Sequence, residues 1–490
     1  MKNKKFWLGM LILTLVFGMM VIGCEDEDTP EPYIPPPQPG ATASNPIDRT
    51  ENTNLGTMTS PASGWQQLLN SIESTGKYIN LDLSACTMTG TSFNPDPSVT
   101  TGKKYIVSII LPTVATSIEA GTFSDPSFKD FKNLKSISGA NIIIINDYSF
   151  VQSIADWNII NVDFPKATTI GKSAFYNTKL ESVNFPKVIT IGDSAFSSCS
   201  SLKNASFPLA ETIGVDAFRF CSSLENISFP ASAELGLSDG NYSNPFTYCR
   251  KINFTLTGTS NLSVTENGKA LVRNSTILLA YPSASGNITM NNITSLDGSV
   301  FSGCFELTGI NLPQVTSIGY SAFYYCSNIQ DVSFPQATII GSSAFSSCNR
   351  LQSASFPLVT TVGYAAFDSC SNLVTLNIPK VTKIERRAFS STGNTELSIT
   401  MGATAPSILD YSIFGGITTT KQVKVKVPLA ATGYNPFSGS SVTVSGTNTT
   451  VNWANGFRGG GWNGYAFYTG SYVQGVDYIN QNISLTIEQQ

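Results

Sequence analysis

Short runs of alternating apolar and polar residues recur along the middle of the chain. In the stretch from Leu180 to Pro186, Val183 and Phe185 fall on one face, and the proline follows directly. Side chains of a β-strand alternate between its two faces, and proline has no N–H for the ladder. The pattern therefore predicts a short strand with one buried face that ends at the proline.

The residues that follow predict a second strand and a turn. Ile189 and Ile191 alternate before Gly192, and a Ser-Ala-Phe sequence then ends at Phe196. We expect a second extended segment that closes at the glycine, where the backbone needs a positive φ. A tight or 3₁₀-like turn then places Phe196 in the interior.

This pattern returns with a period of about 22 residues. The prolines recur in phase at positions 165, 186, 208, 230, 313, 335, 357 and 379. The phenylalanines that follow them are Phe175, Phe196, Phe218, Phe323, Phe345, Phe367 and Phe389. Such phase-locked repeats predict a solenoid, because one coil cannot bury its own apolar side without neighbours above and below.

A cysteine follows the phenylalanine by three residues in most coils. These cysteines are Cys199, Cys221, Cys249, Cys304, Cys326, Cys348 and Cys370. Equivalent residues of adjacent coils stack about 4.8 Å apart with parallel Cα–Cβ vectors, whereas a disulfide prefers Cβ atoms roughly 3.8 Å apart. We predict a column of free, buried thiols that act as small hydrophobic residues, with Cys86 separate and no tetrahedral metal site.

The repeat resembles the BspA-like, or treponemal-type, leucine-rich repeat, whose coils read approximately LxxIxIPxxvtsIGxxAFxxC. The resemblance covers the chain from about Leu111 to Ile384. It implies a mainly β, right-handed leucine-rich-repeat solenoid of about 22-residue coils, with an N-terminal helical cap and a C-terminal capping segment. It also implies adhesion to host matrix and plasma proteins and to other bacteria. A repeat scaffold does not by itself define a ligand, because sites are grafted onto folds.

The predicted organisation has seven segments. They are a lipoprotein signal peptide at 1–23, an acidic and Pro-rich tether at 24–47, an N-terminal cap at 48–105, repeats at 106–230, an irregular coil with a β-hairpin insertion at 231–300, repeats at 301–430 and an aromatic and Gly-rich C-terminal cap at 431–490. In the first, irregular coils we assign the interior position to Phe123 and Phe150.

The leader has three lysines among its first five residues and an apolar run from Phe6 to Ile22. Gly23-Cys24 at its end resembles a lipobox, which implies cleavage before Cys24, lipidation of that thiol and attachment to a bacterial outer membrane by acyl chains. The acidic cluster from Glu25 to Asp28 is similar to signals that send lipoproteins to the outer face. The alternative is an uncleaved membrane anchor with an incidental cysteine.

Two irregular segments have clear local patterns. Apolar residues at i, i+3, i+4 and i+7 from Trp65 predict a helix between Ser60 and Gly76, either the N-terminal cap or a partner-binding helix. The stretches Gly268 to Val272 and Ile277 to Pro282 predict a β-hairpin. We interpret the hairpin as structural, with a binding loop as the alternative.

Composition excludes most catalytic chemistry. The chain has no histidine, which removes Ser-His-Asp and Cys-His nucleophiles and imidazole metal ligands. Its acidic residues do not recur as a pair suited to glycoside hydrolysis. A formal net charge of −4 does not favour nucleic acid as a partner. We therefore expect neither an enzyme nor a cofactor.

Two surfaces are candidates for ligand binding. The outward strand positions between the buried ones are all small and polar, namely Asn184, Ser206, Ser228, Asn311, Ser333, Ser355 and Asn377. They predict a long hydrogen-bonding face without an obvious pocket, suited to broad recognition or simply to solvation. Trp453 and Trp462 in the aromatic tail either plug the last coil or form a platform for sugars or peptides.

The most consistent interpretation is a lipid-anchored, surface-displayed binding protein that adheres to host or bacterial surface proteins. Its membrane contact is then through the lipid anchor only, and its ligand is a protein or a glycan. The alternatives are an accessory glycan-binding lipoprotein of a polysaccharide uptake system and a structural envelope protein.

Overall fold

Each repeat forms one coil with two strands and a turn. The computed structural model describes residues 42–96, 98–151, 159–236, 244–392, 396–402, 408–409, 421–427, 441–445, 448–452 and 483–489. In the coil that starts at Ser182, a leading strand, Ser182–Asn184, is followed by a second strand, Thr190–Ile191. Turns around Phe196 return the chain to the next leading strand, Asn204–Ser206. The sequence period is therefore the length of one coil.

The leading strands pair in parallel from coil to coil and form four sheets. The first contains Ile47–Thr50, Ile79–Asp82, Ile106–Ile110, Ser136–Ser138 and Asn161–Asp163, and the second contains Ser182–Asn184, Asn204–Ser206, Asn226–Pro230 and Asn253–Thr257. The third contains Gly286–Thr289 and Leu307–Asn311. The fourth contains, in spatial order, Asp331–Ser333, Ser353–Ser355, Thr375–Asn377, Glu396–Thr400, Lys421–Val427, Ile483–Gln489, Asn448–Asn452 and Ser441–Ser445, the last two antiparallel to their neighbours.

The second strands form two further sheets. One contains Ser92–Phe93, Ser117–Ile118, Ile144–Ile145, Thr169–Ile170, Thr190–Ile191, Thr212–Ile213 and Glu234–Leu235. The other contains Leu262–Thr265, Ala270–Arg273, Ile277–Ala280, Ser295–Leu296, Ser317–Ile318, Ile339–Ile340, Thr361–Val362, Lys383–Ile384 and Ile408–Leu409. The predicted mainly β solenoid is thus confirmed.

Stacked phenylalanine rings fill the interior of the coils. Phe196 is fully buried and lies 5.2 Å from the Phe175 ring and 5.3 Å from the Phe218 ring, nearly parallel to both. A second column joins Phe185 to Phe207 at 5.9 Å, with an angle of 6° between the rings. Offset aromatic stacks of this spacing stabilise a core beyond the burial of their area.

The predicted helix is also confirmed. Helix α1, Gly64–Thr75, begins after Ser63, whose side chain accepts a hydrogen bond from the Gln66 N–H, and ends at Gly76 in the left-handed conformation. Trp65 is fully buried and lies edge-on to Phe93, with ring centroids 5.8 Å apart. The apolar stripe of α1 therefore packs against the first of the second strands, as expected of an N-terminal cap. Elsewhere in the part of the chain that the structure describes, the helical segments are the 3₁₀ turns Lys103–Tyr105 and Glu266–Gly268.

The role predicted for Gly192 is wrong. Positive φ angles occur instead at Ser194 and Ser198, at 55° and 65°, in the turns on either side of Phe196. A Cβ on Gly192 would lie 2.7 Å from the backbone of Gly171 in the preceding coil. The position requires glycine because adjacent coils approach closely there, not because of its φ.

The interior residue predicted for one irregular coil is also wrong. Phe123 is 50% exposed and contacts Tyr176 edge-on, whereas Phe128 is fully buried and stacks on Phe150 at 4.6 Å. An insertion in this coil moves the buried ring out of phase with the regular spacing. The assignment of Phe150 to the interior is confirmed.

The predicted β-hairpin is present and belongs to a three-stranded antiparallel unit. Ala270–Arg273 pairs with Ile277–Ala280, and Leu262–Thr265 adds to the other edge. Ile277–Ala280 then pairs in parallel with Ser295–Leu296. The hairpin thereby continues the sheet of second strands, which supports its structural interpretation.

Candidate functional site

The predicted strand-face residues fall into three groups. Asn184, Ser206 and Ser228 lie side by side in one sheet. Ser333, Ser355 and Asn377 lie side by side in another. Asn311 pairs with Thr289 in the two-stranded sheet. All seven side chains are exposed or half-buried, because the residues on either side of them point into the core.

Side chains of this face hydrogen-bond to one another along the coils. The Asn226 amide donates to the Asn204 side-chain oxygen at 3.0 Å. Ser228 donates to Ser206 at 3.1 Å, and the Asn377 amide donates to the Ser355 hydroxyl at 3.1 Å. Each hydroxyl and amide keeps further donors or acceptors that face the solvent. The face therefore presents an ordered array of neutral hydrogen-bonding groups.

The face contains no enclosed pocket among the described residues, but it is recessed into a shallow, open groove. An open groove of about 560 Å³ lies over the second strands, and another of about 550 Å³ lies over the leading strands. Residues that line the leading-strand groove include Asp163, Ser182, Asn184, Asn204, Ser206, Asn226, Ser228 and Thr255. Their short side chains leave the surface of the strands recessed. Asp163 is the one charged residue of this lining.

The cysteine column is confirmed as free and buried among the described residues. The thiols were predicted to act only as small hydrophobic residues. In the structure they are also hydrogen-bond donors. Each of the seven donates to the main-chain carbonyl of the core aromatic residue one coil earlier, as Cys199 does to Phe175 at 3.0 Å and Cys348 to Phe323 at 3.1 Å. Burial raises the pKa of the Cys199 and Cys304 thiols to about 12. These thiols are therefore structural and unreactive near neutral pH.

No functional residue was predicted in the turns that connect the strands. Two residues after the core phenylalanine of the Phe196 column, five coils have serine or asparagine, but Phe220, Tyr248 and Tyr325 occupy this position in the middle of the chain. Phe220 and Tyr325 are 42% and 40% exposed. The signal in the sequence was the departure from the small polar residue of the repeat.

Three predicted sites lie outside the described residues. They are the lipidation site Cys24 and the aromatic candidates Trp453 and Trp462. Each stays a prediction. Among the described residues, no helix is both long and apolar enough to cross a bilayer, and no three histidine, cysteine, aspartate or glutamate side chains cluster as metal ligands would.

One family model matches the chain. It is described as BspA type Leucine rich repeat region and matches in six copies over residues 116–253 and 283–396. These two ranges cover just over half of the chain. No curated protein sequence matches it significantly.

Several solved structures are similar to the chain at low identity. A leucine-rich repeat protein from Bacteroides ovatus is 22% identical, with a TM-score of 0.42 over 66% of this chain and 79% of the other. A leucine rich cell surface protein from Faecalibacterium prausnitzii is 19% identical, with a TM-score of 0.45 over 69% and 83%. A leucine-rich repeat protein from Eubacterium ventriosum is 21% identical, with a TM-score of 0.44 over 63% and 81%. The assignment of a family therefore rests on the repeat model alone.

Proposed function

The chain belongs to the BspA-type leucine-rich repeat family, and on this basis we propose that it is a non-catalytic binding protein of the bacterial cell surface that adheres to host or bacterial surface proteins. Solenoids of this kind offer long surfaces on which binding sites are built. The lack of histidine and the single carboxylate in the leading-strand groove support a role in binding rather than catalysis.

We propose that the protein is held at an outer membrane by acyl chains on Cys24. The apolar run from Phe6 to Ile22 followed by Gly23-Cys24 supports this anchor. Metabolic labelling with a fatty-acid analogue tests it: Cys24→Ala should abolish the label and leave the leader uncut. Labelling of that variant at the wild-type level would remove the lipid anchor from the proposal.

The observation that carries the binding function is the groove over the leading strands. It is about 550 Å³ in volume, and apart from Asp163 its polar lining consists of neutral amides and hydroxyls in regular register. A protein segment laid across these strands can exchange hydrogen bonds with several coils at once. Neutral groups of this kind give specificity without the salt sensitivity of a charged face.

A pair of matched substitutions tests the groove. Asn184 lines it, whereas Thr190 is exposed in the same coil on the second strand. The full-length protein, purified in detergent, is titrated against the matrix or plasma protein that binds in a screen. Asn184→Arg should weaken binding by about tenfold or more, because a long charged side chain fills the groove. Thr190→Arg should bind like the wild type.

Two results would contradict this assignment. If both arginine variants lose affinity equally, the loss comes from added charge or instability and not from the groove. If no matrix, plasma or bacterial surface protein binds the wild type, adhesion to proteins is not the function.

A further inference from the structure

The turns of the coils impose a left-handed backbone at one column of positions. This column lies two residues after each phenylalanine of the Phe196 column, and its φ is positive in every such coil from Phe175 to Phe389. From Phe175 to Phe389 five of its nine positions are filled by small polar residues, namely Asn177, Ser198, Ser347, Ser369 and Ser391, and one by Gly303. Such residues suit it, since the left-handed region penalises bulky side chains and favours asparagine and glycine.

Three residues of this column are large aromatics. Phe220, Tyr248 and Tyr325 have φ angles of 61°, 66° and 59°. Phe220 and Tyr325 are also 42% and 40% exposed, so a large part of each ring faces the solvent. Their coils already have a buried phenylalanine two residues earlier. A partly exposed ring on an unfavourable backbone costs the fold free energy, and such strained positions cluster at binding sites.

The aromatic rings of this column lie together. Phe220 and Tyr248 stack with centroids 4.6 Å apart and 18° between their planes. Gly303 makes room for the Tyr248 ring, because a Cβ there would lie 2.3 Å from it. Tyr325 packs edge-on against Tyr324 at 4.6 Å. The Gly303 N–H donates to the Tyr324 carbonyl at 2.8 Å, so Tyr325 lies in the coil next to the glycine that the Tyr248 ring covers.

Two arginines lie next to these aromatic residues in the chain, Arg219 before Phe220 and Arg250 two residues after Tyr248. The Arg219 guanidinium lies 4.7 Å from the centre of Phe220, and the Arg250 guanidinium lies 4.2 Å from the centre of Phe305. Arg219 pairs with Asp216 at 3.5 Å. Arg250 is exposed and forms no ion pair within the part of the chain that the structure describes. Its charge is therefore available to an anion, and its stacking on Phe305 holds the guanidinium in place.

We propose that Phe220, Tyr248 and Tyr325, together with Arg219 and Arg250, form a binding site for an acidic glycan. Flat aromatic faces pack against the C–H-rich faces of sugar rings. A guanidinium binds a sugar carboxylate or sulfate through two parallel hydrogen bonds. A neutral glycan would leave Arg250 without a partner. The aromatic-arginine site lies on the turns, whereas the adhesion groove lies on the leading strands.

Direct binding measurements test the aromatic-arginine site. The full-length protein in detergent is titrated against immobilised oligogalacturonate, a sialylated oligosaccharide and a sulfated oligosaccharide. Methyl-esterified, desialylated and desulfated forms are the neutral partners. We expect at least one acidic form to bind more tightly than its neutral partner. Tyr248→Asn and Arg250→Gln should each weaken that binding by about tenfold or more.

Control variants separate binding from folding. Tyr248→Asn introduces a residue that the column uses at Asn177, so the backbone accepts it, and its melting temperature reports the lost stack on Phe220 separately from binding. Arg250→Gln changes an exposed side chain and tests the site even if the first variant unfolds. Tyr364→Asn removes a tyrosine that is 37% exposed outside this column and should leave affinity unchanged. Asn184→Arg should also leave glycan affinity unchanged, which keeps this test separate from that of the groove.

Three outcomes would overturn the proposal. The first is that none of the three acidic probes binds. The second is that acidic and neutral forms bind equally, or that binding survives both Tyr248→Asn and Arg250→Gln. The third is that these two substitutions abolish binding of a protein ligand that carries no glycan, which would make the surface a protein-binding site instead.

Discussion

At the residue scale, the buried thiols link the stability of the fold to alkaline pH. Burial raises the pKa of Cys199 and Cys304 to about 12. In the unfolded chain a thiol ionises near its ordinary pKa of about 8.5. Between these values the unfolded state binds fewer protons than the folded state, so stability falls as pH rises. The slope reaches about 1.4 kcal/mol per pH unit for each such thiol, and the effect is absent below about pH 8.

Urea denaturation at pH 8 and pH 10 checks this coupling. The free energy of unfolding should drop between the two pH values, and the drop should be smaller in the double variant Cys199→Ala, Cys304→Ala. Val183→Ala is the control, since it removes buried apolar volume without removing a thiol. Its drop should equal that of the wild type. An equal drop in the double variant would show that these thiols do not titrate on unfolding.

At the element scale, the glycines that follow the second strands determine how closely coils stack. A Cβ on Gly192 would meet the main chain of Gly171 at 2.7 Å, whereas one on Gly298 would meet only the Tyr320 carbonyl oxygen at 3.5 Å. Gly192→Ala should therefore destabilise the protein by about 1 to 3 kcal/mol through overpacking. Gly298→Ala should be neutral or stabilise it by up to about 1 kcal/mol, because it restricts the unfolded chain.

Thermal unfolding of the two glycine variants decides between close approach and backbone conformation. If Gly192→Ala were tolerated as well as Gly298→Ala, the coils would not require glycine for contact. A loss for both variants would point to a general intolerance of side chains at this edge of the coil.

The coil shows what a periodic sequence can and cannot reveal. The strands, the buried Phe196 and the free cysteines were predicted correctly, because alternation and phase determine which side chains point inward. The role of Gly192 was predicted incorrectly. A recurring glycine indicates that a side chain is excluded at that position, but it does not indicate which neighbouring atoms exclude it. Phe123 was misplaced because an insertion breaks the phase that the assignment relied on.

The candidate sites also differ in whether the repeat period predicts them. The outward residues such as Asn184 were predicted because they alternate with buried ones. The groove above them depends on the volume left by several coils, which no single repeat contains. The aromatic-arginine site depends on residues that depart from the repeat. The period alone therefore does not predict Tyr248 as a site residue.

At the scale of the whole molecule, the hairpin joins two halves of the core. Buried side chains form one continuous cluster from Leu55 to Ala280 and another from Ala270 to Met401. The two clusters overlap in the hairpin, where Leu271 and Leu279 belong to the first cluster and Val272 and Leu278 belong to the second. Residues adjacent in sequence on a strand point to opposite faces, so one hairpin contributes to both halves.

Because the hairpin contributes to both clusters, we predict that one substitution in it will uncouple the two halves. Leu278→Asp places an unpaired charge in a fully buried position, which is severely destabilising for the half that it faces. Because a solenoid is held together by contacts between neighbouring coils, we expect the single unfolding transition to split in two, with the half that contains Phe334 opening at lower urea than the half that contains Phe185. Hydrogen exchange read by mass spectrometry at increasing urea resolves the two halves.

Asn274→Asp is the control, because it adds the same charge in the exposed turn of the hairpin and should keep one transition. A single, uniformly weakened transition in Leu278→Asp would show that the halves fold as one unit and do not depend on this joint.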